Sequence, residues 1–172
     1  MALRTLHLHW GRTVDLTSTQ DRLLPPSEWR LEQGAVLFRR ENQGCAEWGF
    51  AVSGEPDPAV VARDPVVSSS WSPHSDRLSV FLLETLLFEA SMGDWNTANA
   101  HVEPEHESLL AAEFAPVLPS HPFWSDPTQT SQWFATEDVL VRVDMSTWMW
   151  VLARTPEALE AVRVALPPAD WM

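Results

Sequence analysis

Residues 132–153 read Gln132-Trp133-Phe134-Ala135-Thr136-Glu137-Asp138-Val139-Leu140-Val141-Arg142-Val143-Asp144-Met145-Ser146-Thr147-Trp148-Met149-Trp150-Val151-Leu152-Ala153. Three short apolar runs stand out, Gln132–Ala135, Val139–Val143 and Trp148–Ala153, separated by Glu137-Asp138 and by Asp144-Met145-Ser146-Thr147. Valine and aromatic residues in runs this short predict strands. Thr155 then offers an N-cap, Pro156 takes the first helical position, and Glu157 suits the positive end of a helix dipole. That helix is expected to run through Leu166 and to stop at Pro167-Pro168. Strands come in a block instead of alternating with helices, which argues for an α+β fold with an antiparallel sheet.

Upstream, Ala35–Phe38 is a compact apolar run of strand type. Glu41-Asn42-Gln43-Gly44 supplies turn chemistry, with Gly44 able to take a positive φ. Cys45–Val52 then alternates, placing Ala46, Trp48, Phe50 and Val52 on one face and Cys45, Glu47 and Gly49 on the other. Together these predict a β-hairpin. Ala59–Ala62 and Val66–Trp71 are read as further strands, with Ser72-Pro73-His74-Ser75 as a break. Ser79 is expected to cap a helix reaching Met92 and closed by Gly93. On it, Leu82, Leu83, Leu86, Leu87 and Ala90 form an apolar arc, with Glu84, Thr85, Glu89 and Ser91 opposite. Phe81, Phe88 and Met92 interrupt the polar arc, so a helix buried on both sides is expected. Leu3–Trp10 is read as a short helix ended by Gly11, Pro104–Phe114 as another, and Pro116–Thr130 as an ordered loop pinned by Phe123 and Trp124. Asp94–Glu103 is polar and fits either class. A length of 172 residues suits one domain, 1–172.

Charge and composition narrow the function classes. The formal charge is 11 − 24 = −13. A surface so acidic repels phosphate backbones and attracts basic proteins, so the expected partner is a protein and not a nucleic acid. Every cation is arginine, which removes all lysine-dependent chemistry: P-loop, Schiff-base and Ser-x-x-Lys mechanisms. Cys45 is the single cysteine, so neither an internal disulfide nor a multi-cysteine zinc site can form. Met1–Trp10 lacks the apolar run of a signal peptide and no stretch suits a membrane span, so a cytoplasmic protein without membrane contact is expected.

Several of these pieces, in this order, resemble the SUKH superfamily, also known from the Smi/Knr-type domain. The stretch from Leu3-Arg4 to Gly11-Arg12, with Asp21-Arg22-Leu23-Leu24-Pro25-Pro26, is similar to that family's N-terminal region. Glu41-Asn42-Gln43-Gly44 followed by Trp48 resembles its most recognisable element. The Phe81–Ala90 helix and the Trp148–Arg154 strand with its Thr155-Pro156-Glu157 helix are also similar. Cys45 stands where an aliphatic residue is expected, and Ala115–Thr130 has no clear counterpart. The resemblance implies an α+β fold with a central, mostly antiparallel sheet flanked by helices. It also implies a non-catalytic immunity protein that binds and neutralises a cognate polymorphic toxin, often a nuclease. An adaptor or scaffold role in a larger assembly is the alternative that the family also supports.

The chain offers little catalytic chemistry. His101, Glu103, Glu105, His106 and Glu107 crowd together, yet they lack H-E-x-x-H spacing and Pro104 interrupts them. They are read as solvated residues at a helix start, and a small metal-dependent enzyme stands as the third reading. His7 and His9 point to nearly opposite sides of a helix. Cys45 has no neighbouring cation and reads as a structural thiol. No G-x-S-x-G is present. No catalytic residue, metal or cofactor is therefore expected. Glu41, Asn42, Gln43, Gly44 and Trp48 read as structural, the Asn and Gln side chains satisfying their own turn. Tryptophans dominate interface hot spots, and Trp95, Trp124, Trp133 and Trp171 lie in polar or loop-like stretches, unlike Trp48, Trp148 and Trp150. Taken singly, each is read first as a plug folded back over the core. The candidate partner contacts are Trp95, Trp124 and neighbouring Asp126, with the carboxylates of Glu103 and Glu105.

Overall fold

The computed structural model describes Arg4 and residues 17–93, 95–166 and 170–172. Apart from Arg4, which is helical, the expected Leu3–Trp10 helix and its Gly11 stop lie outside the described residues, as does the Pro167-Pro168 stop. The fold is α+β, but with two antiparallel sheets in place of the one central sheet expected. The chain divides into two compact units: Met1–Ala90 with Trp124–Asp126, and Ser91–Phe123 with Pro127–Met172.

In the first unit the strands are β1 (Arg22–Leu23), β2 (Arg30–Glu32), β3 (Ala35–Arg40), β4 (Glu47–Ala51), β5 (Val60–Arg63) and β6 (Ser72–Ser75). Their order is β1-β3-β4-β5-β6, with β2 also on β3. The expected hairpin is β3–β4, and its register slips between Leu37 and Arg39. This bulge brings Phe38 and Arg39 to one face, where Phe38 packs edge-on to Phe81 (5.8 Å) and Arg39 lies over Trp48 (4.8 Å). The core there gathers Leu23, Phe38, Trp48, Val60, Phe81 and Leu82.

Val66–Trp71 is not a strand. The Asp64 carboxylate accepts the Val66 and Val67 N–H groups, the Asp64 carbonyl accepts that of Ser68, and the resulting turn leaves both valines exposed. The strand comes at Ser72–Ser75, where Pro73 is tolerated because β6 is an edge. Buried His74 pins it against Phe81 (5.4 Å).

Helix α1 (Leu78–Ser91) starts one residue before the expected Ser79 cap. The capping group is instead the distant Asp57 carboxylate, which accepts from the Ser79 N–H (2.8 Å) and hydroxyl (2.6 Å). Burial alone would raise the Asp57 pKa, but these two bonds hold it below its ordinary value. Both arcs contribute buried residues, as expected: Leu82 from the apolar arc and Glu84, Thr85, Glu89 and Ser91 from the polar one, while Leu83 is exposed.

The second unit contains β7 (Asn96–His101), α2 (Pro104–Glu113), β8 (Ala115–Pro116), β9 (His121–Pro122), β10 (Thr130–Ala135), β11 (Val139–Asp144), β12 (Trp148–Ala153) and α3 (Pro156–Ala165). The strand order is β7-β12-β11-β10-β8, with β9 also on β10. Polar Asn96–His101 settles as a strand, and the expected Pro116–Thr130 loop contributes β9 and the end of β8 to the sheet. Thr155 caps α3 as expected, its hydroxyl accepting from the Ala158 N–H. Alternate residues of β11 and β12, among them Val141, Val143, Met149 and Val151, pack on Leu110 of α2 and on Val162 and Leu166 at the α3 end. The β11–β12 turn places Met145 (φ 56°) and Ser146 (φ 52°) in the left-handed region. At the outer edge of β7 the chain's last residues attach: Ala100 bridges to Trp171, and Asn99 and Met172 exchange N–H···O bonds.

Candidate protein-binding surface

The first unit holds a buried ionic group. The Arg39 guanidinium donates to Asp21 (3.0 Å) and Glu89 (2.7 Å), all three side chains being at most 6% exposed. Glu89 also accepts from the backbone N–H groups of Gln20 (2.7 Å) and Asp21 (3.1 Å). Aromatic rings of Trp48, Phe81 and Phe88 surround the guanidinium within 5.7 Å. Burial pushes the Asp21 pKa above its ordinary value, with Arg39 opposing and Glu89 and Glu41 adding to the rise. This trio fastens residues 20–21, β3 and α1 to one another.

A second cluster lies on the other face of that sheet. Arg63 is clamped by Glu32 and Glu47 and stacks on Trp71 at 4.2 Å, while Arg40 holds the second Glu47 oxygen. Trp71 closes over Gly49, whose missing side chain admits the ring: a Cβ there would sit 3.3 Å from it. In the second unit, Asp144 takes Arg142 (2.8 Å) and the Ser131 hydroxyl (2.6 Å) in a buried group beside Trp133. Arg22, Arg154 and Arg163 form surface pairs with Glu28, Asp138 and Glu160. Seven arginines (22, 39, 40, 63, 142, 154 and 163) are thus engaged with carboxylates of the same chain. Exposed acidic groups are left in excess, among them Glu105 and Glu113 on α2, a helix without arginine.

The candidate partner contacts fall into both units. Trp95 is 60% exposed at the start of β7. Glu103 and Glu105 are exposed and adjacent at the α2 N-terminus. Roughly 20 Å of strand, at about 3.3 Å per residue, separates them from Trp95, so they form no joint patch with it. Trp124 and Asp126 belong to the first unit. Both are half-buried, and Trp124 packs on that unit's core. Trp171 likewise packs on the second core. Trp133 is no loop residue: it is 1% exposed in β10. Of the four tryptophans from polar stretches, Trp95 alone is exposed among the described residues.

The Glu41-Asn42-Gln43-Gly44 turn is built by a different side chain than expected. The Glu41 carboxylate accepts the N–H groups of Gln43 (2.8 Å) and Cys45 (3.1 Å), Gly44 takes φ 77°, and Asn42 and Gln43 project outward. His106 also departs from the solvated reading. It is fully buried, its Nδ1 accepting the Glu103 N–H at 3.1 Å. The His101–Glu107 cluster is therefore split between inside and outside, and among the described residues no three His, Cys, Asp or Glu side chains are grouped to hold a metal ion. No described helix is long and apolar enough to cross a membrane.

No protein-family model matches the chain, no curated protein is similar to it, and no solved structure matches its fold.

Proposed function

We propose that the chain is a non-catalytic protein-binding domain that recognises a basic partner, in the manner of an immunity protein neutralising a cognate toxin. The observation that supports this reading is the allocation of charge. With a formal charge of −13, the chain engages most of its arginines internally and keeps carboxylates outward, Glu105 and Glu113 of α2 among them. Such an exterior steers a cationic surface into contact and speeds encounter. A nuclease whose cleft is shaped for phosphate presents that kind of surface. The sequence resemblance to the SUKH superfamily points the same way.

The test is genetic and direct. The neighbouring gene should encode a large secreted or contact-delivered toxin, and co-expression of this chain should rescue cells from that toxin's C-terminal domain. Absence of such a neighbour, together with failure of the purified protein to capture any basic protein, would remove the reading. A complex that forms with a non-basic protein and ignores salt would favour the adaptor role, because steered acidic–basic docking weakens as ionic strength rises.

A further inference from the structure

Between α2 and α3 the second unit leaves an open groove of about 510 Å³. Its floor is Val139, Val162 and Leu166, all under 10% exposed, and its walls carry Leu109, Ala161 and Ala165. Leu109 is 40% exposed, and both alanines face solvent. The charged residues in the lining, Glu113 and Asp138, are both acidic. Helical spacing extends this rim: Glu105 is one turn pair before Leu109 and Glu113 on α2, and Glu157 precedes Ala161 and Ala165 on α3, each at intervals of four. Asp138 is paired with Arg154 at 3.4 Å, so Glu105 and Glu113 carry the border's remaining charge. The groove is thus an apolar trough with an acidic border.

We propose that this groove receives an amphipathic helix of a cationic partner, apolar side chains entering the trough and arginine or lysine meeting Glu105 and Glu113. The inference rests on the reading of the chain as a binder of basic proteins and names the place where binding occurs. Small residues on α3 let a third helix approach to ordinary packing distance, about 8–10 Å between axes. An apolar stripe flanked by charges is how a helix is recognised in a groove. A second copy of this chain is a poor occupant, since two bodies of charge −13 repel.

The experiment uses the full chain and a fluorescently labelled synthetic helix of leucine and arginine, about 18 residues long. A peptide with the same leucines but glutamate for arginine serves as control. Ala161→Arg and Ala165→Arg place a large cation in the trough at exposed helical positions, and circular dichroism and melting report that they fold. Glu105→Gln with Glu113→Gln removes rim charge and leaves the trough intact. The arginine peptide should bind saturably, shifting amide resonances of residues 109–114 and 158–166, while the glutamate peptide does not. Either alanine variant should weaken binding at least about tenfold, and the double glutamine variant should flatten its salt dependence. Binding that survives Ala161→Arg unchanged, shifts spread over other acidic surface, or a wild-type dimer that Ala161→Arg dissolves would each overturn the proposal. Toxin rescue by Ala161→Arg separates the two ideas. Wild-type rescue lost in the variant supports the groove, and rescue retained in the variant rejects the groove but not the immunity reading. Specific peptide binding without any toxin partner keeps the groove and rejects that reading.

Discussion

Arg39 is one cation held between two carboxylates, so the Asp21–Arg39–Glu89 group carries one net negative charge inside the first unit. Glu89 accepts from Arg39 and from the N–H groups of Gln20 and Asp21, so removing it leaves buried donors unsatisfied and opens a cavity. Glu89→Ala should therefore lower unfolding free energy by about 3–5 kcal/mol in urea titrations, more than a typical exposed-pair change such as Glu28→Ala. Asp21 gives a pH signature. Its folded pKa is raised above the ordinary 3.8, so the native state binds that proton more tightly than the unfolded chain. The resulting stability is fully present below 3.8 and is lost as pH rises through the folded pKa. Compared with Asp21→Asn, the wild type should lose stability on going from acid to neutral pH, and parallel profiles would contradict the assignment. Sequence periodicity pointed to a helix buried on both sides but could not name this group, because Glu89's partner Arg39 arrives through a bulge that no propensity marks.

At the level of elements, local chemistry spoke clearly where it was self-contained. Val139–Val143, Trp148–Ala153 and the Thr155-Pro156 cap carry their own strand or helix signals, and the structure forms them nearly at those bounds. Elements held by distant groups were hidden. Asn96–His101 has no strand composition and is ordered by β12 beside it; β6 contains a proline and is ordered by His74 packing. β2 escaped notice although Gln33-Gly34, with φ of 48° and 81°, makes the turn to β3. The β11–β12 turn is costlier than its counterpart, since Met145 and Ser146 take positive φ without glycine. Ser146→Gly should raise stability by about 1 kcal/mol, read as a higher urea midpoint with unchanged slope. The same change at Ser70, where no positive φ occurs, should give no gain.

For the whole molecule, charge is the dominant variable. Exposed carboxylates repel one another, and salt screens that repulsion while leaving the buried clusters nearly untouched. The urea midpoint should accordingly rise between low and physiological ionic strength, and Glu105→Gln with Glu107→Gln and Glu113→Gln should blunt the rise. The sign and size of the net charge could be taken straight from composition, and the proposed class of partner follows from them. The proposed groove was only partly visible: Glu105 was singled out for its charge, but Leu109, Ala161 and Ala165 read as ordinary helix residues until two helices set them across from each other. The pairing of Met172 with Asn99 adds a last consequence. A sheet margin with unmet amide and carbonyl groups is a template for runaway stacking of molecules. Here Trp171 and Met172 occupy part of that margin, so changes that free Ala100 and Asn99 should raise the tendency to aggregate, read by light scattering.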